Sequence, residues 1–384
     1  MLPAGQSKTL DAQPAREILM RKAIDLQSGL DSEKPDRRRF LRELAGFTAL
    51  GATASLATNI AAVPSAFAQT TVVPTGQNSA ALSGTHAILL GTRGGPGVDL
   101  NRNETASAVV VDGVPYLVDC GYGTLRSLMA CGIGYAEIST IFFTHLHNDH
   151  TSDLAALLTH QWTGGRNKPT DVYGPYGTAA MVEGALAFFK ADTEIRIVDE
   201  GRTVRPEALF HGHDLAATSK PAAAFKDERV TVTSVENTHF PERSKARMPY
   251  RSLAYRFDSK TRSIVFSGDT AYSTNLVDLA QAADVFICEV MDQAIHDEMA
   301  ARAKAAAEAG NPDNIYRHIA DTHSTPADVG RMASEAQVKM VVLNHLVPGT
   351  TAPDRPEFPV TTFIDGVRKV YAGEVVVGQD LMVI

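Results

Sequence analysis

Apolar and polar positions fall into short runs with two different periods. His86-Ala-Ile-Leu-Leu-Gly91, Ser107-Ala-Val-Val-Val111, Pro115-Tyr-Leu-Val-Asp119 and Ile138-Ser-Thr-Ile-Phe-Phe143 are dominated by apolar, largely β-branched residues. Such runs predict strands with at least one buried face. Asp112-Gly113 between the second and third predicts a hairpin turn. Further strands are expected at 171–175, 195–198, 230–235, 253–257, 263–266, 283–289 and 339–345. Helical spacing predicts helices over 124–131, 153–158, 178–190, 292–309 and 326–337, the last with Thr325 as its cap and Pro326 in its first turn. Residues 69–84 read as a linker or edge segment, and 206–228 as an irregular surface insertion. The glycine-rich turn Gly91-Thr-Arg-Gly-Gly-Pro-Gly97 reads as a tight loop at the mouth of a site; no G-K-[ST] follows to make it a phosphate loop. Strands followed by a helix occur twice, so the chain is expected to be a layered α/β protein with halves alike in element order.

Composition adds a destination. The chain has 384 residues, 44% of them hydrophobic, enough for a large core, and a formal charge of −8. Asp36-Arg-Arg-Arg-Phe-Leu-Arg42 resembles the twin-arginine export motif. An uncharged stretch over 44–68 follows and ends in Ala66-Phe-Ala68, a small-residue cleavage site. Residues 1–68 are therefore expected to be a cleaved signal peptide, leaving residues 85–384 as the working domain. The expected location is the periplasm, with the twin-arginine translocase as a partner during export. Asn59 and Pro64 interrupt the ~20-residue apolar span that a stable membrane anchor needs. The remaining chain holds 27 basic and 37 acidic residues, from which no nucleic-acid partner is expected. Cys120, Cys131 and Cys288 include no C-x-x-C pair and read as core residues, with a Cys120–Cys131 bridge left open.

The chemistry concentrates in Thr144-His-Leu-His-Asn-Asp-His150, between a predicted strand and a predicted helix. His145, His147, Asp149 and His150 can fan from that turn towards two neighbouring metal ions, and imidazole with carboxylate suits zinc. His239, Asp269 and His345 each follow or end a predicted strand, where side chains on one sheet edge converge. His211 and His213 read as solvated loop histidines. No G-x-S-x-G supports a serine nucleophile.

The T-H-L-H-N-D-H run, the later lone His239, Ser267-Gly-Asp-Thr270, His323-Ser-Thr-Pro326 and Asn344-His345 together resemble the metallo-β-lactamase superfamily. Their order is closest to its ribonuclease Z-like and arylsulfatase-like branch, and the resemblance runs from about His86 to the C-terminus. It implies a four-layer αββα sandwich and two divalent metal ions, zinc first, with manganese or iron as alternatives. Carried over, His145, His147 and His239 hold one metal, Asp149, His150 and His345 the other, and Asp269 bridges both. Glu289 and His323 are implied as a pair near the leaving group, and Asp149 as an orienter of the attacking hydroxide. The activity implied is hydrolysis of a small ester, an aryl sulfate or phosphodiester, by an exported enzyme; a homodimer is allowed. A lactone or β-lactam ring opener and a non-catalytic periplasmic binding protein are the alternatives. Asp153 stands where tRNA-processing members usually carry Gly, and 239–267 has no room for their RNA-clamping arm. Thr151 replaces the Gly that usually follows D-H in β-lactamase and glyoxalase members.

Overall fold

Strands buried on both faces dominate the chain, and they can exist only between other layers. The computed structural model describes residues 71–72, 82–348 and 360–384. The expected signal peptide at 1–68 and most of the 69–84 segment lie outside the described residues. Among the described residues, fifteen strands form two sheets. The first contains β1 (Thr71–Val72), β2 (Thr85–Gly91), β3 (Ala106–Val111), β4 (Val114–Val118), β5 (Thr140–Phe142), β6 (Thr170–Gly174), β7 (Phe210–Asp214) and β15 (Met382–Val383), in the order β1-β15-β2-β3-β4-β5-β6-β7. The second contains β8 (Ala222–Lys226), β9 (Val230–Glu236), β10 (Leu253–Ser259), β11 (Ser263–Phe266), β12 (Val285–Met291), β13 (Met340–Val347) and β14 (Glu374–Val377), in the order β14-β13-β12-β11-β10-β9-β8. Each sheet is antiparallel on one side and parallel on the other, changing over at β4 and β11.

Helices α1 (Thr124–Ala130), α2 (Asn148–Thr151), α3 (Leu154–Thr163), α4 (Thr178–Phe188) and α5 (Lys190–Asp199) belong to the first half. The second half supplies α6 (Glu242–Lys245), α7 (Thr274–Ala280), α8 (Gln293–Glu308), α9 (Ile315–Thr322), α10 (Pro326–Glu335) and α11 (Thr361–Arg368). Between the sheets lie Leu89, Val109, Tyr116, Phe142, Val232, Tyr255, Phe257, Ile264, Ile287 and Val342. The outer face of the first sheet packs Ile88, Leu117, Ile141 and Val172 with Leu128, Leu157, Leu158 and Trp162 from its helices. That of the second packs Val265, Phe286, Val341 and Leu343 with Leu276, Val329, Met332 and Phe363. Helix, sheet, sheet, helix: this is the four-layer αββα sandwich. Thr325 and Asp328 cap α10 reciprocally, as the Thr-Pro signal at its start predicts.

Three expectations need correction. Residues 195–198 are not a strand but the last part of α5. Two of their three β-branched residues are on the surface, Ile195 63% and Val198 86% exposed, while Ile197 packs half-buried against the core. The helix is supported instead by i,i+4 charge pairs, Arg196 with Asp192 at 3.0 Å among them. Residues 206–228 are not irregular, because β7 and β8 form one edge of each sheet. Edge strands lack a second buried neighbour, so the alternation that reveals a strand is weak in Phe210–Asp214 and Ala222–Lys226. His211 and His213 consequently sit on a strand rather than a loop. His213 Nε2 donates to Asp171 Oδ1 at 2.7 Å and its ring stacks on Tyr173 at 4.6 Å. Cys120, Cys131 and Cys288 are all buried and free.

Candidate metal centre

The parallel strands deliver the site. His145 follows β5, Asp269 follows β11 and His345 lies in β13, so their side chains meet at one rim of the sandwich. Where β12 pairs with β13, Glu289 faces Asn344 and Val290 faces Leu346. His345 is therefore the extra residue of a bulge, with φ of 41°, and the bulge turns it into the site. Gly268 has φ of 58°, and a Cβ there would meet Thr144 Cβ at 2.9 Å and Leu253 O at 3.0 Å. A side chain at 268 would thus push the Asp269 turn away from the histidine turn.

Hydrogen bonds tie the two sheets together at this rim. Leu253 N donates to Thr144 O at 2.8 Å, and the Tyr255 hydroxyl donates to Phe143 O at 2.8 Å. Asn237 Nδ2 donates to Ser267 O at 2.8 Å, which joins the His239 turn to the Asp269 turn. The Ser324 hydroxyl donates to Thr270 O at 2.6 Å, bringing in the His323 turn. From the first sheet, Gly95 N donates to Asp149 Oδ2 at 3.0 Å, so the glycine turn does lie against the site. A Cβ on Gly95 would meet that carboxylate at 2.2 Å.

All seven expected ligands come together, in two groups. His145 Nε2 is 2.9 Å from His147 Nδ1, which is 3.2 Å from His239 Nε2. His345 Nε2 lies 3.3 Å from Asp149 Oδ2 and 3.1 Å from Asp269 Oδ2, while His150 Nε2 lies 3.4 Å from Asp149 Oδ2 and 3.2 Å from Asp269 Oδ1. Asp269 Oδ2 is also 3.8 Å from His145 Nε2, so one carboxylate faces both groups. His145, His150 and His239 are fully buried, and Asp149, Asp269 and His345 nearly so.

The donor set fits divalent cations. Burial, followed by mutual repulsion from His150, holds His145 well below the ordinary imidazole value. Burial does the same to His239 and, less strongly, to His147. These rings are therefore neutral. His239 Nδ1 is 3.3 Å from Thr322 O and donates to it, which leaves the Nε2 lone pair facing His147. Converging imidazole lone pairs repel unless a cation lies among them. In the second group, burial pushes Asp269 up, but His345 and His150 overcome this and hold it well below the carboxylate range. Asp149 is ionised by the same contest, with His150 opposing burial. His345 is raised to about 10: burial lowers it, but Asp269, Asp149 and Glu289 together raise it by more. Buried His150 Nε2 and Asp269 Oδ1 have no hydrogen-bond partner. Unsatisfied, ionised and inward-facing groups of this kind mark a cation site.

Beside the ligands, His323 Nδ1 donates to Glu289 Oε2 at 2.8 Å, and the His323 ring stacks on His345 at 5.8 Å. Glu289 also accepts from Thr270 N. Burial raises the Glu289 carboxyl; burial lowers His323, but Glu289 more than compensates and raises it overall.

Two contributors were not legible as such. Asp119, with φ of 59°, accepts from Thr144 N at 2.8 Å and from His150 Nδ1 at 2.8 Å, fixing the tautomer that turns His150 Nε2 inward. Asp119 closes the apolar Pro115–Asp119 run, and nothing in that run signals the contact with His150. His318 of α9 places its ring 5.2 Å from His239 and 5.8 Å from His147, and no sequence pattern announces it.

A model described as a Beta-lactamase superfamily domain matches residues 115–346. Among curated relatives, ribonuclease Z of Mycobacterium bovis (strain BCG / Pasteur 1173P2) is 28% identical over 296 residues, 76% of this chain and 95% of the relative. Ribonuclease Z of Mycobacterium avium (strain 104) is 29% identical over 297 residues, with the same coverage of 76% and 95%. Among solved structures, YhfI of Bacillus subtilis, a metallo-beta-lactamase fold protein, aligns with a TM-score of 0.55 at 18% identity, over 78% of this chain and 98% of that one. The short form of human tRNase Z aligns with a TM-score of 0.54 at 23% identity over the same shares, 78% and 98%. These structures show the fold. The ribonuclease Z relatives overturn the expectation that nucleic acid is excluded as a partner. That expectation summed charge over residues 69–384, whereas a phosphodiester is met by the local field of one site.

Asp119→Asn removes the charged acceptor that orients His150 while leaving every ligand in place. The variant should bind its second metal ion ~10–100-fold more weakly. Competition against a chromophoric chelator measures this, and unchanged affinity would show that His150 is oriented by other means.

Proposed function

The chain belongs to the metallo-β-lactamase superfamily and is a metal-dependent hydrolase of ester bonds, and from that premise we propose that its substrate is a phosphodiester. The observation that carries the reading is Asp269, one carboxylate within reach of both ligand groups, with the Glu289–His323 pair beside it. Of the two ester chemistries expected from sequence, aryl sulfate and phosphodiester, the ribonuclease relatives favour the second. RNA and smaller nucleotide or aryl phosphodiesters all present the bond this site is suited to.

His145, His147 and His239 would hold one divalent cation and Asp149, His150 and His345 the other, with Asp269 shared. Such a pair supplies a more acidic water and counters negative charge on the phosphoryl oxygens. The chain's own residues do the rest. Asp149 is too weak a base to take a proton at neutral pH, and its contact with Gly95 N fixes it as an orienting group. Hydrolysis joins the water oxygen to phosphorus and breaks the bond to the leaving oxygen, which needs a proton. His323 is placed to give it: Nδ1 is committed to Glu289, which leaves Nε2 for the substrate. Glu289 keeps that imidazole protonated and prevents it from rotating.

The metal-loaded protein should cleave phosphodiesters, lose the activity to a chelator and regain it with zinc or manganese. His323→Ala should cost ~10²–10⁴-fold with alkoxide leaving groups and much less with 4-nitrophenolate, which departs without a proton. Equal losses on both would remove His323 as the acid. A metal-replete protein inert to RNA, nucleotide and aryl phosphodiesters alike would sink the reading.

We extend the proposal to export through the twin-arginine route, supported by Arg37, Arg38, Phe40 and Leu41 ahead of Ala66-Phe-Ala68. Replacing Arg37 and Arg38 together by Lys should retain the full chain in the cytoplasm on fractionation. An unchanged periplasmic share would refute the route.

A further inference from the structure

Next to His147, and outside the ring of ligands, lies an open cavity of about 840 Å³. Its walls come from four separate parts of the chain. Leu146 belongs to the histidine turn, Met181 to α4, Phe240, Met248 and Tyr250 to the segment around α6, and His318 to α9. A volume of this size is typical of a pocket for a small organic group.

The wall is continuous with the metal centre. Phe240 is buried, and its ring stands edge-on to His147 at 5.5 Å and to His145 at 6.0 Å. Gly177 opens α4 with φ of 102°, and a Cβ there would meet the Tyr250 ring at 2.9 Å and Leu146 at 3.1 Å. The glycine thus lets Tyr250 close against the helix. Tyr250 is 45% exposed and pairs with Tyr176, itself 53% exposed, at 6.0 Å. Two tyrosines left half in solvent at the mouth of an apolar cavity offer a platform for a flat ring.

Charge gives the complementary argument. Arg247 reaches the cavity, but its guanidinium is paired with Asp313 at 2.9 Å, and Arg243 is paired with Asp321 at 2.9 Å. Neither cation is left over for a substrate anion in this cavity. The anionic part of a substrate belongs at the metal end, and what enters the cavity is uncharged. Rings and the polarizable sulfurs of Met181 and Met248 favour aromatic over aliphatic contents.

We propose that this cavity is a subsite for a planar aromatic group carried on the phosphoryl ester, bounded by Phe240, Tyr250, Met181 and His318. The assignment of the anchoring group as phosphoryl rests on the phosphodiesterase reading. A nucleobase and a simple aryl ring share the chemistry required, and the choice of probes separates them.

The test is equilibrium binding to the zinc-loaded full chain by calorimetry, with methylphosphonate, cyclohexylphosphonate, phenylphosphonate and thymidine 5′-monophosphate as probes. Phenylphosphonate should bind at least about tenfold tighter than methylphosphonate, the scale expected for burying one ring. Ala180→Trp, which fills the cavity, should reduce that ratio to about twofold or less. Should that variant fail to fold or to hold metal, Tyr250→Ala at the exposed mouth should lower the same ratio. Tighter binding of the nucleotide than of phenylphosphonate identifies a nucleobase as the occupant, and the reverse identifies a simple aryl group. Cyclohexylphosphonate matching phenylphosphonate, or a phenyl-to-methyl ratio near one in the unaltered protein, overturns the proposal. So does a ratio that both variants leave intact. Because the readout is affinity, an aromatic preference without turnover of any phosphodiester would defeat the catalytic reading and leave the subsite standing.

Discussion

Asp269 is the residue on which this molecule depends. A carboxylate that is 3% exposed, between histidines from four turns, has given up nearly all of its hydration. Leaving a buried charge unanswered costs several kcal/mol, so the surroundings must answer it from every side. His150 and His345 do so within 3.2 Å, His145 at longer range, and one carboxylate oxygen still lacks a hydrogen-bond partner. That arrangement requires the histidine turn of the first sheet and the aspartate turn of the second to approach closely. Gly268, the His345 bulge and the Leu253 to Thr144 hydrogen bond each serve that approach. Sandwich and site are in this sense one constraint: the apolar layer between the sheets sets their separation, and the rim uses it.

What could be read from the chain follows from where each residue's partners lie. Strands β3, β4, β11, β12 and β13 are buried along nearly their whole length, so their composition alone reveals them. The H-x-H-x-D-H turn was legible because four ligands occur within one short segment. His239, Asp269 and His345 are isolated in sequence; strand-end position pointed to them, and the family resemblance assigned them to the two groups that the histidine turn already suggested. Less legible were the features whose cause is distant. β7 and β8 owe their strand state to a neighbour on one side only. Helix α5 leaves Ile195 and Val198 in solvent and carries charge pairs along its surface, so composition pointed to the wrong period. Asp119 acts on His150 from 31 positions away, and only the folded register reveals that contact.

The failed exclusion of nucleic acid has the same origin. Formal charge is a property of the sequence, while recognition of a phosphodiester is a property of one rim. Acidic residues away from the site are met in pairs such as Asp192 with Arg196 and Asp284 with Lys339. Beside the outer cavity, Arg243 and Arg247 are paired with Asp321 of α9 and with Asp313 just before it. A negative total is therefore compatible with a locally balanced entrance.

That balance divides the work between two neighbouring spaces. The inner one, where the seven candidate ligands and the Glu289–His323 pair converge, holds charges that are fixed and buried, and it fits divalent cations. The outer one beside His147 holds rings, thioethers and arginines already paired, and has no use for a second anion. His147 is the only one of the seven ligands that lines it, and it is also more exposed than the others. Of the outer wall, α4 and α9 supply none of the candidate ligands, while Leu146 and Phe240 join it to the histidine turn and to His239. Reaction type and substrate choice are thus set by different parts of the chain, which is why the histidine motif could reveal the first and was silent on the second.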